Sequence, residues 1–169
     1  MSRLALVLLA LGLLVLARPL PAVAAVPGGP VVHVTLAESL QAKADVTYGR
    51  AEVDRLAEAL RREVERELER VGVMAGGRVE LILTDARPSR PTLQELGARP
   101  GLSSRSFGLG GAAIEGEMIS FDGKTVPVSF SWYANDINDS RRQAVWGDAE
   151  WAFERFARRL SRGQFYALR

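Results

Sequence analysis

Hydrophobic residues alternate with polar ones in some segments of this chain and recur every three or four residues in others. In VVHVTL, residues 31–36, the apolar side chains of Val32, Val34 and Leu36 alternate with polar ones, which predicts a half-buried strand. The segment RVELILTDA, residues 78–86, predicts a second strand.

Two segments have helical spacing. The first runs from Ala51 to Val71, with one apolar stripe opposite a face of Glu and Arg, and Gly72 is placed to end it. The second is predicted from about Ser140 to Arg162, with Asp139 or Ser140 as its N-cap. Its apolar side consists of Val145, Ala149, Ala152, Phe153, Phe156 and Leu160.

A hairpin is predicted between Ala112 and Tyr133, around Asp122-Gly123. A two-residue loop would place Phe130 opposite Glu115 and mix charge into the apolar face. An odd-length loop instead places the apolar residues of the two strands side by side. The pattern therefore predicts a three-residue loop, Phe121 to Gly123, with Gly123 in the left-handed conformation.

The segment between Ala86 and Ser106 has no period, contains three prolines and is predicted to be a long loop. The resulting order is β-α-β-β-β-α. It predicts an α+β fold, a two-layer sandwich with two helices on one face of a mostly antiparallel sheet.

The first 25 residues are typical of a signal peptide. Arg3 precedes an apolar run of about 13 residues, which is too short to span a membrane comfortably. The small residues that end at Ala24 and Ala25 allow cleavage after either one. We therefore predict an exported protein with a single domain over residues 26–169 and no stable membrane span after cleavage.

Removal of this segment changes the charge of the chain. It contains two of the 22 basic residues and no acidic ones, so 20 basic residues remain against 20 acidic ones. The neutral balance argues against nucleic acid as a partner. The absence of cysteine excludes lipid attachment at the cleavage site and disulfide bonds. These features predict a soluble protein of the periplasm or the medium.

The stretch SFGLGGAAIEG, residues 106–116, contains Gly108, Gly110 and Ala113 at the spacing of a dinucleotide-binding turn. In that motif a strand leads into a helix whose N-terminal amides bind the pyrophosphate. Here the glycines follow a loop and lead into a predicted strand. We therefore expect no nucleotide and no other cofactor, and we interpret the glycines as a turn into the hairpin.

Other catalytic and metal-binding patterns are incomplete. His33 is the only histidine, and no G-x-S-x-G motif supplies a nucleophile for it. One histidine without cysteine excludes the ordinary zinc sites. Asp136, Asn138 and Ser140 match the start of a calcium loop, but Arg141 replaces its glycine. No catalytic or metal-binding residue is therefore assigned.

One enzymatic alternative stays open. Glu115 and Glu117 lie on one face of a predicted strand, roughly 7 Å apart at about 3.4 Å per residue. That separation suits the paired carboxylates of an inverting glycosidase. Together with Asp85 they define the alternative function, a small hydrolase of cell-wall or polysaccharide substrates.

Two groups of residues are candidates for partner binding. Trp151 lies on the polar side of the last helix with Arg155 and Arg158, and Trp with Arg is typical of interface hot spots. Arg155 could also stack on Trp151 one turn away, which would make the pair structural. The second group lies in the basic loop over residues 86–106, which suits an anionic lipid or lipopolysaccharide surface. Its members are Arg87, Arg90, Arg99 and Arg105.

Three stretches resemble a family of uncharacterised exported, periplasmic proteins of proteobacteria. They are LTDARPSRPTLQELGARPGLSSRSFGLGGAAIEGEM, PVSFSWYANDI and WAFERFARRL, and the resemblance spans roughly Thr84 to Leu160. It implies export in a Gram-negative bacterium and brings no activity or catalytic residues. The element order is also similar to small envelope-accessory domains of outer-membrane assembly and transport systems. Those domains are often lipoproteins, from which this cysteine-free chain departs.

The leading hypothesis is therefore a soluble periplasmic protein with a non-enzymatic binding or envelope-accessory role. Its expected partner is an envelope protein or an anionic surface.

Overall fold

The computed structural model describes residues 28–136, 138 and 144–164. Its strands are β1 (Val31–Leu36), β2 (Arg78–Arg87), β3 (Gly111–Ile119) and β4 (Thr125–Tyr133). They form one mixed sheet in which β1 is parallel to β2, while β3 is antiparallel to both β2 and β4. The spatial order follows the chain, so β1 and β4 are the edge strands.

The helices are α1 (Glu38–Lys43), α2 (Arg50–Val71), α3 (Leu93–Ala98) and α4 (Gly147–Ser161). The two long ones pack together on one face of the sheet, α2 mainly against β1 and α4 against β3 and β4. The predicted α+β class is therefore confirmed. The predicted order was incomplete, because it lacked α1, α3 and a π-helical turn at Ala44–Tyr48. α1 and α3 have six residues each, fewer than two turns, and so carry no readable helical period.

The core lies between the helices and the inner face of the sheet. Every second residue along β2, β3 and most of β4 points into it, among them Leu81, Ile114 and Phe130, which are at most 5% exposed. From the helices, Leu60 and Phe153 fill the same layer. Burial of each such side chain contributes about 1.5–3 kcal/mol to stability, which makes this layer the main source of the fold's stability.

α2 ends where its sequence predicts and begins one residue earlier than predicted, at Arg50. It ends at Val71, and Gly72 follows with φ of 74°, the left-handed conformation of a helix C-cap. The Glu and Arg residues of its outer face form ion pairs, including Glu58 with Arg62 at 3.7 Å. Pairs of this kind are worth a few tenths of a kcal/mol each, about 0.2–0.5.

The hairpin has the predicted register. Ser120 N–H donates to Lys124 O at 3.0 Å, so the loop contains three residues, and Gly123 has φ of 83°. Glu115 faces Ser129 across the strands on the exposed side of the sheet. The separation of apolar and polar faces was therefore sufficient to fix the pairing.

α4 begins later than predicted. The predicted start at Ser140 is wrong, because residues 144–146 form a turn and the first helical residue is Gly147. The carbonyl of Val145 accepts a 2.7 Å hydrogen bond from Ser89 N–H instead of one from the backbone of the helix. The predicted N-cap residues, Asp139 and Ser140, lie outside the described residues.

Candidate functional site

The first candidate site contains the two tryptophans at the outer side of α4. The ring of Trp151 lies 4.4 Å from that of Trp132 on β4, measured between centroids. The guanidinium carbon of Arg155 lies 4.3 Å from the Trp151 centroid and 5.8 Å from that of Trp132. The stacking of Arg155 on Trp151, given above as the structural alternative to partner binding, is thus present. Trp132 completes the group, and the sequence pattern did not single it out.

These side chains are accessible. Arg155 is exposed, and both tryptophans are half-buried. Arg155 has no carboxylate within ion-pair distance in the described part of the chain, whereas Arg158 pairs with Glu154 at 2.8 Å. Arg155 therefore offers a positive charge, held in place by stacking, that a partner's carboxylate can neutralise.

The backbone of β4 borders this group. Ser120 N–H donates to Lys124 O, and Ala134 N–H donates to Gly110 O, each at 3.0 Å. In an antiparallel ladder, pairs of residues that exchange hydrogen bonds alternate with pairs that do not. The even-numbered residues of β4 therefore form the hydrogen bonds to β3. No strand among the described residues pairs with the other side of β4. The backbone groups directed outward belong to Ser129, Ser131 and Tyr133.

Pro127 limits the open part of this edge. It is one of the odd-numbered residues, whose N–H positions face outward, and proline supplies no donor there. Proline at such a position is a common protection of sheet edges. The unprotected edge is therefore the half of β4 beside Trp132. We call this half, Ser129–Tyr133, together with Trp151 and Arg155, the β4–α4 surface.

The arginines of the basic segment have separate environments. Arg87 lies at the end of β2, where its guanidinium carbon is 4.4 Å from the Tyr133 ring centroid. Arg90 donates to the carbonyl of Ser104 at 3.2 Å. Arg99 and Arg105 are exposed. The predicted loop is partly wrong, because β2 continues to Arg87 and α3 interrupts the rest.

Asp85 is the centre of a polar cluster at the same end of the sheet. Its carboxylate accepts hydrogen bonds from Lys43 Nζ at 2.6 Å and from the Tyr133 hydroxyl at 2.8 Å, and Arg87 Nε lies at 3.2 Å. Burial acts to raise the pKa of Asp85, but these hydrogen bonds and charges outweigh it and lower the pKa below its usual value. Burial and the bond to Asp85 raise the pKa of Tyr133. The cluster holds an ionised Asp85 and a protonated tyrosine.

Stability should therefore fall in acid through Asp85. The stabilisation by a carboxyl with a lowered folded-state pKa is complete above its unfolded pKa, about 3.9, and is lost as pH falls through the folded value. We expect Asp85→Asn to destabilise the protein at pH 7, with the difference from wild type shrinking below about pH 4. Urea unfolding at several pH values measures this. A difference that stays constant down to pH 2.5 would contradict it.

The glycines of the dinucleotide-like stretch have packing roles. A Cβ on Gly110 would lie 2.7 Å from Ser89 Oγ and 2.8 Å from the Arg87 carbonyl. One on Gly111 would lie 2.3 Å from the Trp132 carbonyl. These contacts explain why small residues occur here, and the segment enters β3 rather than a helix. This segment thus lacks the strand–turn–helix arrangement that the dinucleotide motif requires.

A buried carboxylate fixes this segment to α4. Asp148 is fully buried in the first turn of the helix and accepts a 2.8 Å hydrogen bond from Gly110 N–H. Its own N–H donates to Ser89 Oγ at 3.1 Å, and Ser89 is also fully buried. An acidic side chain near a helix N-terminus is favourable. The three residues Ser89, Gly110 and Asp148 therefore join the ends of β2, β3 and α4.

The carboxylates of the hydrolase hypothesis lie apart from a cleft. Glu115 and Glu117 are exposed on the flat outer face of the sheet, where Glu117 faces Pro127 and Glu80. Asp85 belongs to the cluster described above. His33 lies on the same outer face, with Nδ1 3.4 Å from Glu80 Oε2. This arrangement differs from the aromatic-lined cleft that a glycosidase pair needs.

A groove of about 380 Å³ runs between α2 and α4. Charged residues of both signs form its walls, including Glu52, Arg62 and Glu150. Trp146 Nε1 donates to Glu52 Oε2 at 3.1 Å and closes one end. Burial, followed by the charge of Glu154, raises the pKa of Glu150. The mixed charges favour no single class of ligand.

Within the described ranges, no group of three or more His, Cys, Asp or Glu residues is placed to hold a metal ion. In the same part of the chain, no helix combines the length and the apolar character needed to cross a membrane.

No protein-family model matches the chain, and a search of curated proteins also finds no match. The function is therefore inferred from the residues of this chain.

Proposed function

We propose that this protein is an exported, non-enzymatic binding domain of the bacterial envelope, and that its partner is an extended polypeptide segment. Export is supported by the signal-peptide pattern of the first 25 residues. The observation that carries the binding role is the β4–α4 surface. There an open strand edge lies beside two tryptophans and an arginine without a carboxylate partner in the described structure.

The geometry favours an added strand. A segment paired with β4 would bond to the outward N–H and C=O groups of Ser129, Ser131 and Tyr133. On the helix side of the sheet, its side chains would lie against Trp132 and Trp151. An acidic side chain at that position would also reach Arg155. Main-chain bonds would supply affinity, and the aromatic and charged contacts would supply specificity.

Reversal of the charge at Arg155 tests this role. We expect Arg155→Glu to reduce recovery of the partner about ten-fold or more, as for a hot-spot residue. Stability should change by less than about 1 kcal/mol, since an exposed cation–π pair is worth no more. The measurement is quantitative mass spectrometry of proteins that co-purify from detergent-solubilised envelopes, with melting temperature as the check of folding.

Arg55→Glu is the matched control. Arg55 is also exposed, and its one hydrogen bond within the described residues is to the carbonyl of Ala51 on its own helix. Arg55→Glu should leave recovery of the partner unchanged. Trp151→Ala should abolish recovery and also lower the melting temperature by several degrees, as expected for the loss of about 1–2 kcal/mol. Equal recovery with all variants would exclude the β4–α4 surface as the binding site.

A further inference from the structure

A second surface, at the end of the domain formed by α3 and its neighbours, exposes apolar side chains. Leu93 is 79% exposed, Val46 78%, Phe107 46% and Leu109 44%. They account for half of the eight large hydrophobic residues exposed in the described structure. Single exposed apolar residues are ordinary, but several at one end of a domain indicate an interaction.

Hydrogen bonds connect the segments that carry these residues. Gln94 Nε2 donates to the carbonyl of Asp45, which places the start of α3 beside the π-helical turn that contains Val46. On the other side, Gly108 N–H donates to the carbonyl of Ser89, next to Phe107. Leu93, Val46 and Phe107 therefore belong to adjoining parts of one surface.

The exposure of Leu93 is fixed by the local structure. Thr92 and Glu95 form a capping box, with bonds of 3.2 Å and 2.9 Å between side chains and backbone. Thr92 is fully buried, so the helix start is anchored. Leu93 follows directly and is directed into solvent by an ordered turn.

Positive charge accompanies these apolar residues. Phe107 and two arginines, Arg90 and Arg99, line one shallow hollow of about 170 Å³. The one carboxylate in its lining, Glu95, accepts a hydrogen bond from Thr92 N–H at the start of α3. Arg105 lies two residues before Phe107 and is exposed. Neither Arg99 nor Arg105 has an acidic partner within 4 Å among the described residues. Their charges are therefore available to an anionic partner.

We propose that this α3 surface, comprising Val46, Leu93, Arg99, Arg105 and Phe107, binds the anionic surface of a phospholipid bilayer. Leu93 and Phe107 enter the headgroup region, while Arg99 and Arg105 contact lipid phosphates. Shallow insertion of apolar side chains combined with basic charge is the usual chemistry of binding in the membrane interface. An acidic protein would satisfy the arginines but would not account for exposed apolar residues on three different segments.

This inference goes beyond the proposed function and rests on different residues. Together the two surfaces would let the protein hold a polypeptide close to a membrane. Because the surfaces share no residue, variants of one should leave the other active.

The test is co-sedimentation with vesicles of phosphatidylglycerol and phosphatidylethanolamine, compared with vesicles of phosphatidylcholine alone. The protein is purified after export, and its N-terminus is confirmed by mass. We expect binding to the anionic vesicles only, weakening strongly between low salt and 0.5 M salt as charges are screened. The double variant Arg99→Glu, Arg105→Glu should lower the partition coefficient at least twenty-fold, because the loss of each positive charge lowers it about five-fold.

Leu93→Ser with Phe107→Ser should lower binding at low salt by a similar factor, whereas Phe121→Ser should not. Phe121 is 78% exposed in the hairpin loop, away from the α3 surface. Arg155→Glu should also leave vesicle binding unchanged, which separates this proposal from the proposed function. The proposal is overturned if wild-type protein does not sediment with anionic vesicles at low salt. It is also overturned if the α3 variants bind as tightly as wild type.

Discussion

Alanine in place of Gly116 is expected to prevent stable folding, while alanine in place of Gly108 is expected to have almost no effect. A Cβ on Gly116 would lie 2.1 Å from the Glu80 carbonyl oxygen and 2.9 Å from Leu81 Cα. Both atoms belong to the backbone of β2, at the centre of the sheet. The clash can be relieved only by separating two paired strands.

The backbone of Gly116 adds to this cost. Its φ of 155° lies in a region that residues with side chains rarely adopt, at about 1–3 kcal/mol. With the clash, we expect a total loss above about 4 kcal/mol, a large part of the stability of an ordinary domain. Gly108 has open space around its Cβ position, so Gly108→Ala should change stability by less than about 0.5 kcal/mol.

Circular dichroism with urea unfolding measures both variants. A cooperative transition for Gly116→Ala at the wild-type midpoint would show that the pairing of β2 with β3 is wrong.

The second large effect is expected at Asp148. Asp148→Ala should lower the free energy of unfolding by about 3 kcal/mol, because a buried N–H that bonded to a carboxylate loses its partner. The N–H is that of Gly110, which is buried together with Asp148. The helix also loses a favourable charge in its first turn.

Asp148→Asn separates the two contributions. Its side-chain oxygen can still accept from Gly110 N–H, so we expect about half the loss seen with alanine. Asp54→Ala, at an exposed position on α2, should remain within about 0.5 kcal/mol of wild type. Urea midpoints give the three values. An Asp148→Ala protein as stable as the Asp54→Ala protein would contradict the role given to this carboxylate.

The parts of the fold that could be predicted from the sequence depend on signals between neighbouring residues. The hairpin register followed from the alternation of Ile114 and Phe130 with Glu115 and Ser129, because a shift by one residue would bury charge. The end of α2 followed from Gly72, whose left-handed conformation other residues disfavour. Such signals are local, and tertiary contacts only reinforce them.

The parts that were missed depend on contacts between distant residues. No residue near Gly147 indicates that Ser89, 58 positions earlier, donates a hydrogen bond to the carbonyl of Val145. Because of that bond, α4 begins later than its pattern predicts. The two short helices have too few residues for a periodic pattern. Gly110 was correctly interpreted as part of the turn into the hairpin, but its packing against Ser89 and Asp148 could not be seen in the sequence.

Only part of the candidate site could be predicted from the sequence. Helical spacing placed Trp151 and Arg155 on the same side of α4, and their stacking followed from the separation of four residues. The contribution of Trp132 required the sheet order, since only an edge strand brings it beside the outer side of α4. The outward-facing N–H and C=O groups of β4 could be recognised only from the structure, in which no described strand pairs with the outer side of β4.

The most direct measurement is photo-cross-linking in living cells from the two edges of the sheet. A photoreactive amino acid replaces Ser131 on β4 in one variant and Thr35 on β1 in the other, both exposed positions on edge strands. The binding role predicts a discrete cross-linked complex with an envelope protein from position 131, lost when Arg155→Glu is added, and none from position 35. No complex from position 131, or equal complexes from both positions, would contradict it.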